Sequence, residues 1–90
     1  MDYTIVYHPQ IPADIAAFPE NIKSRIKKAI EQRLIIDPIK YGEPLRRTLR
    51  GYRKLRVGDY RIIYRIEKHT IIILKIGHRK EVYDKSRYNL

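Results

Sequence analysis

Hydrophobic positions recur along this chain with two different periods. Between residues 22 and 34 they fall at Ile22, Ile26, Ala29, Ile30 and Leu34, the spacing of one helix face, while Lys23, Arg25, Lys27, Lys28, Glu31 and Gln32 take the other. Pro19 opens this helix, and it must end before Pro38, because the residue preceding a proline disfavours the helical conformation. The basic side chains along it read as a solvated face or as an RNA-facing one. A shorter helix is predicted ahead of it from Ile11, Ile15 and Phe18, with Pro12 in its first turn.

The second period is that of strands. Tyr3–His8 is β-branched and aromatic and stops at Pro9. Three further runs, Tyr52–Val57, Tyr60–Glu67 and Thr70–Gly77, are separated by the two-residue breaks Gly58-Asp59 and Lys68-His69, the mark of antiparallel hairpins. The first strand must join the same sheet, since alone it would leave its backbone groups unpaired. Residues 37–51, with Pro38, Gly42, Pro44 and Gly51, read as a loop, and Val82–Leu90 as a tail that is a short helix or irregular. The expected architecture is one α+β domain over residues 1–90, ordered β-α-α-β-β-β. Its sheet is mostly antiparallel, two helices cover one face, and a short tail follows.

Carrying the alternation across the first hairpin pairs Val57 with Tyr60, Arg56 with Arg61 and Leu55 with Ile62. One face then holds Leu55, Val57, Tyr60, Ile62, Tyr64 and Ile66, the core beneath the helices. The opposite face holds Tyr52, Lys54, Arg56, Arg61, Ile63 and Arg65. Like charges side by side repel, so this face is either arranged to receive phosphates or is simply solvated. The same register places Thr70, Ile72, Leu74, Ile76 and His78 on the cationic face. There Ile63, Ile72 and Leu74 form an apolar floor that the tail or a partner is expected to cover.

Charge sharpens this picture. Twenty Lys and Arg stand against ten Asp and Glu, a net of +10. Residues 1–45 carry six of each sign, while residues 46–90 carry fourteen basic and four acidic side chains, so the surplus belongs entirely to the second half. Segregated charge of this kind attracts a polyanion, an acidic protein partner, or serves solubility alone. The absence of cysteine excludes disulfides, thiolate metal sites and a cysteine nucleophile. No apolar run approaches the roughly 18–20 residues of a membrane span. With no secretory signal visible after Met1, the expectation is a cytoplasmic protein with no membrane partner.

The stretch from Leu49 to Tyr64 (LRGYRKLRVGDYRIIY), followed by Gly77-His78-Arg79-Lys80-Glu81-Val82-Tyr83, resembles the RelE/ParE toxin superfamily of type II toxin–antitoxin systems. The likeness extends to the opening strand ending in His8-Pro9 and to the helix after Phe18-Pro19. It implies a concave sheet backed by helices, with the active face on the last strands. For RelE-type members it implies a toxin that enters the ribosomal A site and cleaves mRNA. The 2′-hydroxyl attacks the adjacent phosphate to leave a 2′,3′-cyclic phosphate, with no metal or cofactor.

That chemistry asks for a base, cations for the charge growing on phosphorus, and an acid for the departing 5′-oxygen. The resemblance assigns Lys54 to base or charge-stabilising work and Arg61 to the phosphate transition state, and matches Arg79 to a second functional arginine near the end of the last strand. It assigns Tyr83 to stacking on or orienting the nucleotide, although a tail aromatic can also simply pack on the core. Tyr52 stands where the family pattern has a second lysine, and His78 offers a substitute acid or base, or a structural histidine. Arg46, Arg47, Arg50, Tyr52, Arg56, Arg65 and Lys80 complete the expected RNA-binding surface. The expected partners are a cognate antitoxin and the ribosome with its mRNA, with operator DNA reached only through the antitoxin. The alternatives are a ParE-type inhibitor of DNA gyrase without ribonuclease activity, and a degenerate member kept as a co-repressor.

Overall fold

Strand β1 (Thr4–Tyr7) is followed by helices α1 (Ile11–Ile15) and α2 (Glu20–Ala29), and α2 runs on into a π-helical turn, Ile30–Leu34, in which the Ile35 N–H reaches back to the Ile30 carbonyl. This computed structural model describes residues 3–46 and 51–83. After the π turn come a short α3 (Pro38–Tyr41), β2 (Glu43–Pro44), β3 (Arg53–Val57), β4 (Tyr60–Glu67) and β5 (Thr70–His78). The five strands form one sheet in the order β1-β5-β4-β3-β2, antiparallel except where β1 lies parallel to β5. The α+β expectation holds. The chain adds α3 and β2 inside the segment read as a loop.

The reason for α3 is local. Pro38 occupies the first helical position, where its missing N–H costs nothing, and the Asp37 carboxylate caps the turn by accepting from the Lys40 N–H at 3.1 Å. Beyond it, Gly42 lies so close to the Tyr64 hydroxyl that a Cβ there would collide with it. The Arg53 guanidinium donates to the carbonyls of Ile39 (2.8 Å) and Gly42 (3.0 Å), tying this segment to the sheet.

The main core lies between the helices and the sheet. Ile26, Ala29, Ile30 and Leu34 pack on Leu55, Val57, Ile62, Tyr64, Ile71, Ile73 and Ile76, all buried. The β3–β4 register is the expected one: Val57 opposite Tyr60, Arg56 opposite Arg61, Leu55 opposite Ile62. Gly58, at φ 61°, supplies the left-handed residue its hairpin turn needs, whereas Lys68, at φ 55°, adopts that region in the next turn without glycine's freedom.

The β4–β5 ladder departs from regular alternation. Ile63 stands opposite Lys75, yet the next residue, Tyr64, stands opposite Ile73, so Leu74 is the extra residue of a β-bulge. Both turns have the expected two residues; the register breaks in mid-strand instead. Ile76, opposite Ile62, therefore joins the helix-side core, and His78, opposite Tyr60, joins the same face. The placement of Ile76 and His78 on the cationic face is corrected by this bulge. Regular alternation would have carried the odd-numbered positions Ile71 and Ile73 on to Lys75, burying an ammonium under the helices at a large desolvation cost. The bulge turns Lys75 outward and Ile76 inward.

Candidate nucleic-acid interface

The face of the sheet away from the helices is built in rows across β3, β4 and β5. One row reads Arg56, Arg61, Gly77 and the next reads Lys54, Ile63, Lys75; Arg65 and Ile72 pair further along. Leu74, at the bulge, packs on this side with Tyr52, Ile63 and Val82 in a small second core.

The chain beyond β5 closes over that core. The N–H groups of Glu81 and Val82 both bond to the His78 carbonyl (2.9 and 3.0 Å), turning the backbone across the sheet. Val82 is fully buried, directly over Gly77, where its methyl carbon would meet an added Cβ at 3.6 Å. Leu45, Ile72 and Tyr83 pack around the edge. The apolar floor is covered by the chain itself, through Val82.

Arg61 is 7% exposed, and its Nη1 donates to the carbonyls of Gly58 (2.8 Å) and Tyr60 (2.9 Å). The burial of an arginine among carbonyls of its own hairpin has two effects. It locks the turn, and it holds the guanidinium in one orientation beside the exposed Arg56, whose like charge would otherwise push a free side chain away. Arg79 arrives at the same tip, since its N–H donates to the Asp59 carbonyl at 2.8 Å. The Gly58-Asp59 turn thus gathers Arg56, Arg61 and Arg79, with Lys54 one row along and Tyr83 at the edge of the second core.

Other expected site residues are placed differently. Tyr52 is a core residue, 6% exposed beneath Val82, and offers no free ring to a nucleotide. The His78 ring stands against Tyr60, 5.6 Å between centroids and nearly perpendicular, on the helix side, and its Nδ1 accepts from the Lys80 N–H. It is therefore remote from the Lys54 row and corrected as a member of that face. Arg65 is engaged by Glu67 at 3.1 Å. Arg46 and Lys80 are exposed, Arg46 lining a groove of about 600 Å³ with Glu43 and Lys54. Arg47 and Arg50 lie outside the described residues. Sequence reasoning missed Lys75, and the signal was Lys75 itself, a charge in line with Ile71 and Ile73. Among the described residues no three His, Asp or Glu side chains gather as a metal site, and no helix is long and apolar enough to cross a membrane.

Comparison with known proteins agrees with this architecture. Residues 3–83 match the family model of the ParE toxin of type II toxin–antitoxin systems. The chain is 34% identical to Toxin RelG of Mycobacterium tuberculosis, over 92% of its own length and 98% of that protein's, and 34% identical to Toxin RelE of the same organism, over 86% of both. Its fold superimposes with a TM-score of 0.81 on a chain of the M. tuberculosis RelBE2 toxin–antitoxin complex, at 32% identity, covering 88% of this chain and all of that one. A chain of the RelB–RelE antitoxin–toxin complex of Methanococcus jannaschii gives 0.70 at 26% identity, covering 90% and 98%. With its sequence and its sheet pointing the same way, the chain belongs to the RelE/ParE family of type II toxins.

Proposed function

We propose that this toxin is a ribosome-dependent mRNA endoribonuclease whose reaction takes place at the tip of the β3–β4 hairpin. The observation that carries the reading is the placement of Arg56 and Arg61 at the Gly58-Asp59 turn, with the Arg79 backbone bonded to the same turn and Lys54 one row away. The 2′-oxygen of the nucleotide at the site attacks the adjoining phosphorus, the P–O5′ bond breaks, and the products are a 2′,3′-cyclic phosphate and a 5′-hydroxyl. Lys54 takes the 2′-hydroxyl proton or stabilises the oxyanion. Arg61, already oriented by its turn carbonyls, and Arg79 neutralise charge on the phosphoryl oxygens, where pre-aimed donors need no reorganisation. Tyr83 offers its ring to the nucleotide. His78, on the far side of the sheet, is given no proton transfer.

A cognate antitoxin is the proposed partner. Several structural relatives are toxins in complex with their antitoxins, and a surface of this charge suits an acidic, neutralising segment.

Translation of a defined mRNA in vitro, with cuts mapped by primer extension, tests the function. Discrete cuts that require ribosomes and fall by on the order of 10²-fold or more in Arg61→Ala and Arg79→Ala are expected. The matching family model bears the ParE name, so a gyrase inhibitor is the second reading. Intact mRNA together with protein-dependent gyrase cleavage complexes would establish it instead.

A further inference from the structure

The β5 bulge brings onto the cationic face one charge that regular alternation would have hidden. Lys75 lies opposite Ile63, which lies opposite Lys54, so the two lysines occupy one row on the outer strands with β4 between them. At the usual strand separation their Cα atoms are roughly 10 Å apart. Ile63 is fully buried and packs with Tyr52, Leu74 and Val82, themselves buried, so the lysines flank a filled second core, the mound, rather than an open cleft. Lys75 is partly exposed, and no described residue pairs with it by hydrogen bond or ion pair. A strand that breaks its register to deliver a cation with no partner among the described residues, on the face where Tyr83 stays partly exposed, has the layout of a track for a single-stranded backbone: a base against Tyr83 and a phosphate at each lysine.

We propose that Lys75 binds the RNA phosphate neighbouring the scissile one, holding the strand across the Tyr52–Val82 mound from Lys54. This rests on the ribonuclease reading. Lys75 is thus a positioning residue: its contact is made in the bound complex and in the transition state alike, so its loss weakens binding more than the chemical step.

The test uses a short single-stranded RNA, 2′-O-methylated throughout so that it cannot be cut, with binding read by fluorescence anisotropy across a salt series. Lys75→Gln should weaken binding several-fold and reduce the slope of log K against log salt by about 0.7, one single-strand phosphate contact. Lys75→Arg should restore both. Lys23→Gln, which removes the same charge from a helix position paired with the exposed Glu20, should leave both unchanged. On programmed ribosomes, Lys75→Gln should raise the toxin concentration giving half-maximal cleavage while leaving the maximal rate within about threefold.

Wild-type affinity and slope in Lys75→Gln overturn the inference, as does a loss confined to the maximal rate, or equal losses in Lys23→Gln. If the wild type cuts mRNA on ribosomes but has no affinity for the oligonucleotide, the inference falls and the ribonuclease reading stands. If it neither binds nor cuts, both fall.

Discussion

Tyr64 shows how one side chain joins distant parts of this chain. Fully buried on β4, it donates its hydroxyl to the Pro38 carbonyl at 2.6 Å and fills the space that Gly42 leaves open. Burial pushes its pKa above the usual tyrosine value, while the Arg53 hydrogen bond and charge pull the other way without reversing it. The folded state therefore holds this proton more tightly than the unfolded chain. The stabilisation is complete below the unfolded value of about 10 and is lost as pH rises through the folded one. Tyr64→Phe should cost roughly 1–3 kcal/mol at neutral pH, since it leaves the carbonyl unpaired. The deficit should shrink above about pH 10 as the wild type loses stability, and urea melts at pH 7 and pH 10.5 would read both effects. A deficit that grew with pH would contradict the assignment. Arg61 is equally structural: Arg61→Ala should melt earlier as well as cut less, whereas Arg79→Ala should melt normally.

At the scale of elements, the segment after β5 is the hinge between stability and site. Val82 is its buried anchor, with Arg79 before it and Tyr83 after it. Val82→Ala should destabilise by about 1–3 kcal/mol. It should also lower cleavage, because Arg79 and Tyr83 lose the fixed backbone between them; an unchanged cleavage rate would show that the two are held independently.

The hairpins were legible in the sequence because Gly58-Asp59 and Lys68-His69 leave two-residue turns, and the alternation of Leu55, Val57, Ile62 and Tyr64 then sets the register. What escaped was the bulge. Four apolar residues in succession, Ile71 to Leu74, satisfy either face, so nothing local to them says where alternation breaks; only the parity switch from Ile73 to Ile76 across Lys75 does. Tyr52 escaped for a related reason. Its strand parity puts it beside Lys54, but its burial depends on Val82, far away in the chain. The Asp37-Pro38 pair, by contrast, carried a readable helix start inside the presumed loop.

For the molecule as a whole, cations of the helices meet those of the sheet at the hairpin tip, where Arg25, Lys28 and Arg33 line a pocket with Arg56 and Gly58. The helices and one sheet face hold the main core, while the described cations Lys54, Arg56, Arg61 and Lys75 stand on the opposite sheet face. RNA affinity should therefore be dominated by displaced counterions. For about four single-strand phosphate contacts, affinity should fall roughly 50-fold between 50 and 200 mM salt. A salt-insensitive affinity would mean that base stacking, not the cationic face, provides the binding.

The parallel pairing of β1 with β5 has a consequence for when this protein comes into being. Among the described residues, the first strand finds its one sheet neighbour, Ile71 beside Ile5 and Ile73 beside Tyr7, in the last one, β5. The segment that seals the opposite face with Val82 comes later still. Contacts spanning nearly the whole chain form late and slowly. A growing polypeptide thus has neither its finished sheet nor its sealed second core until residues 70–83 have left the ribosome. The fold of this toxin therefore closes late in its synthesis, after most of the chain has already emerged.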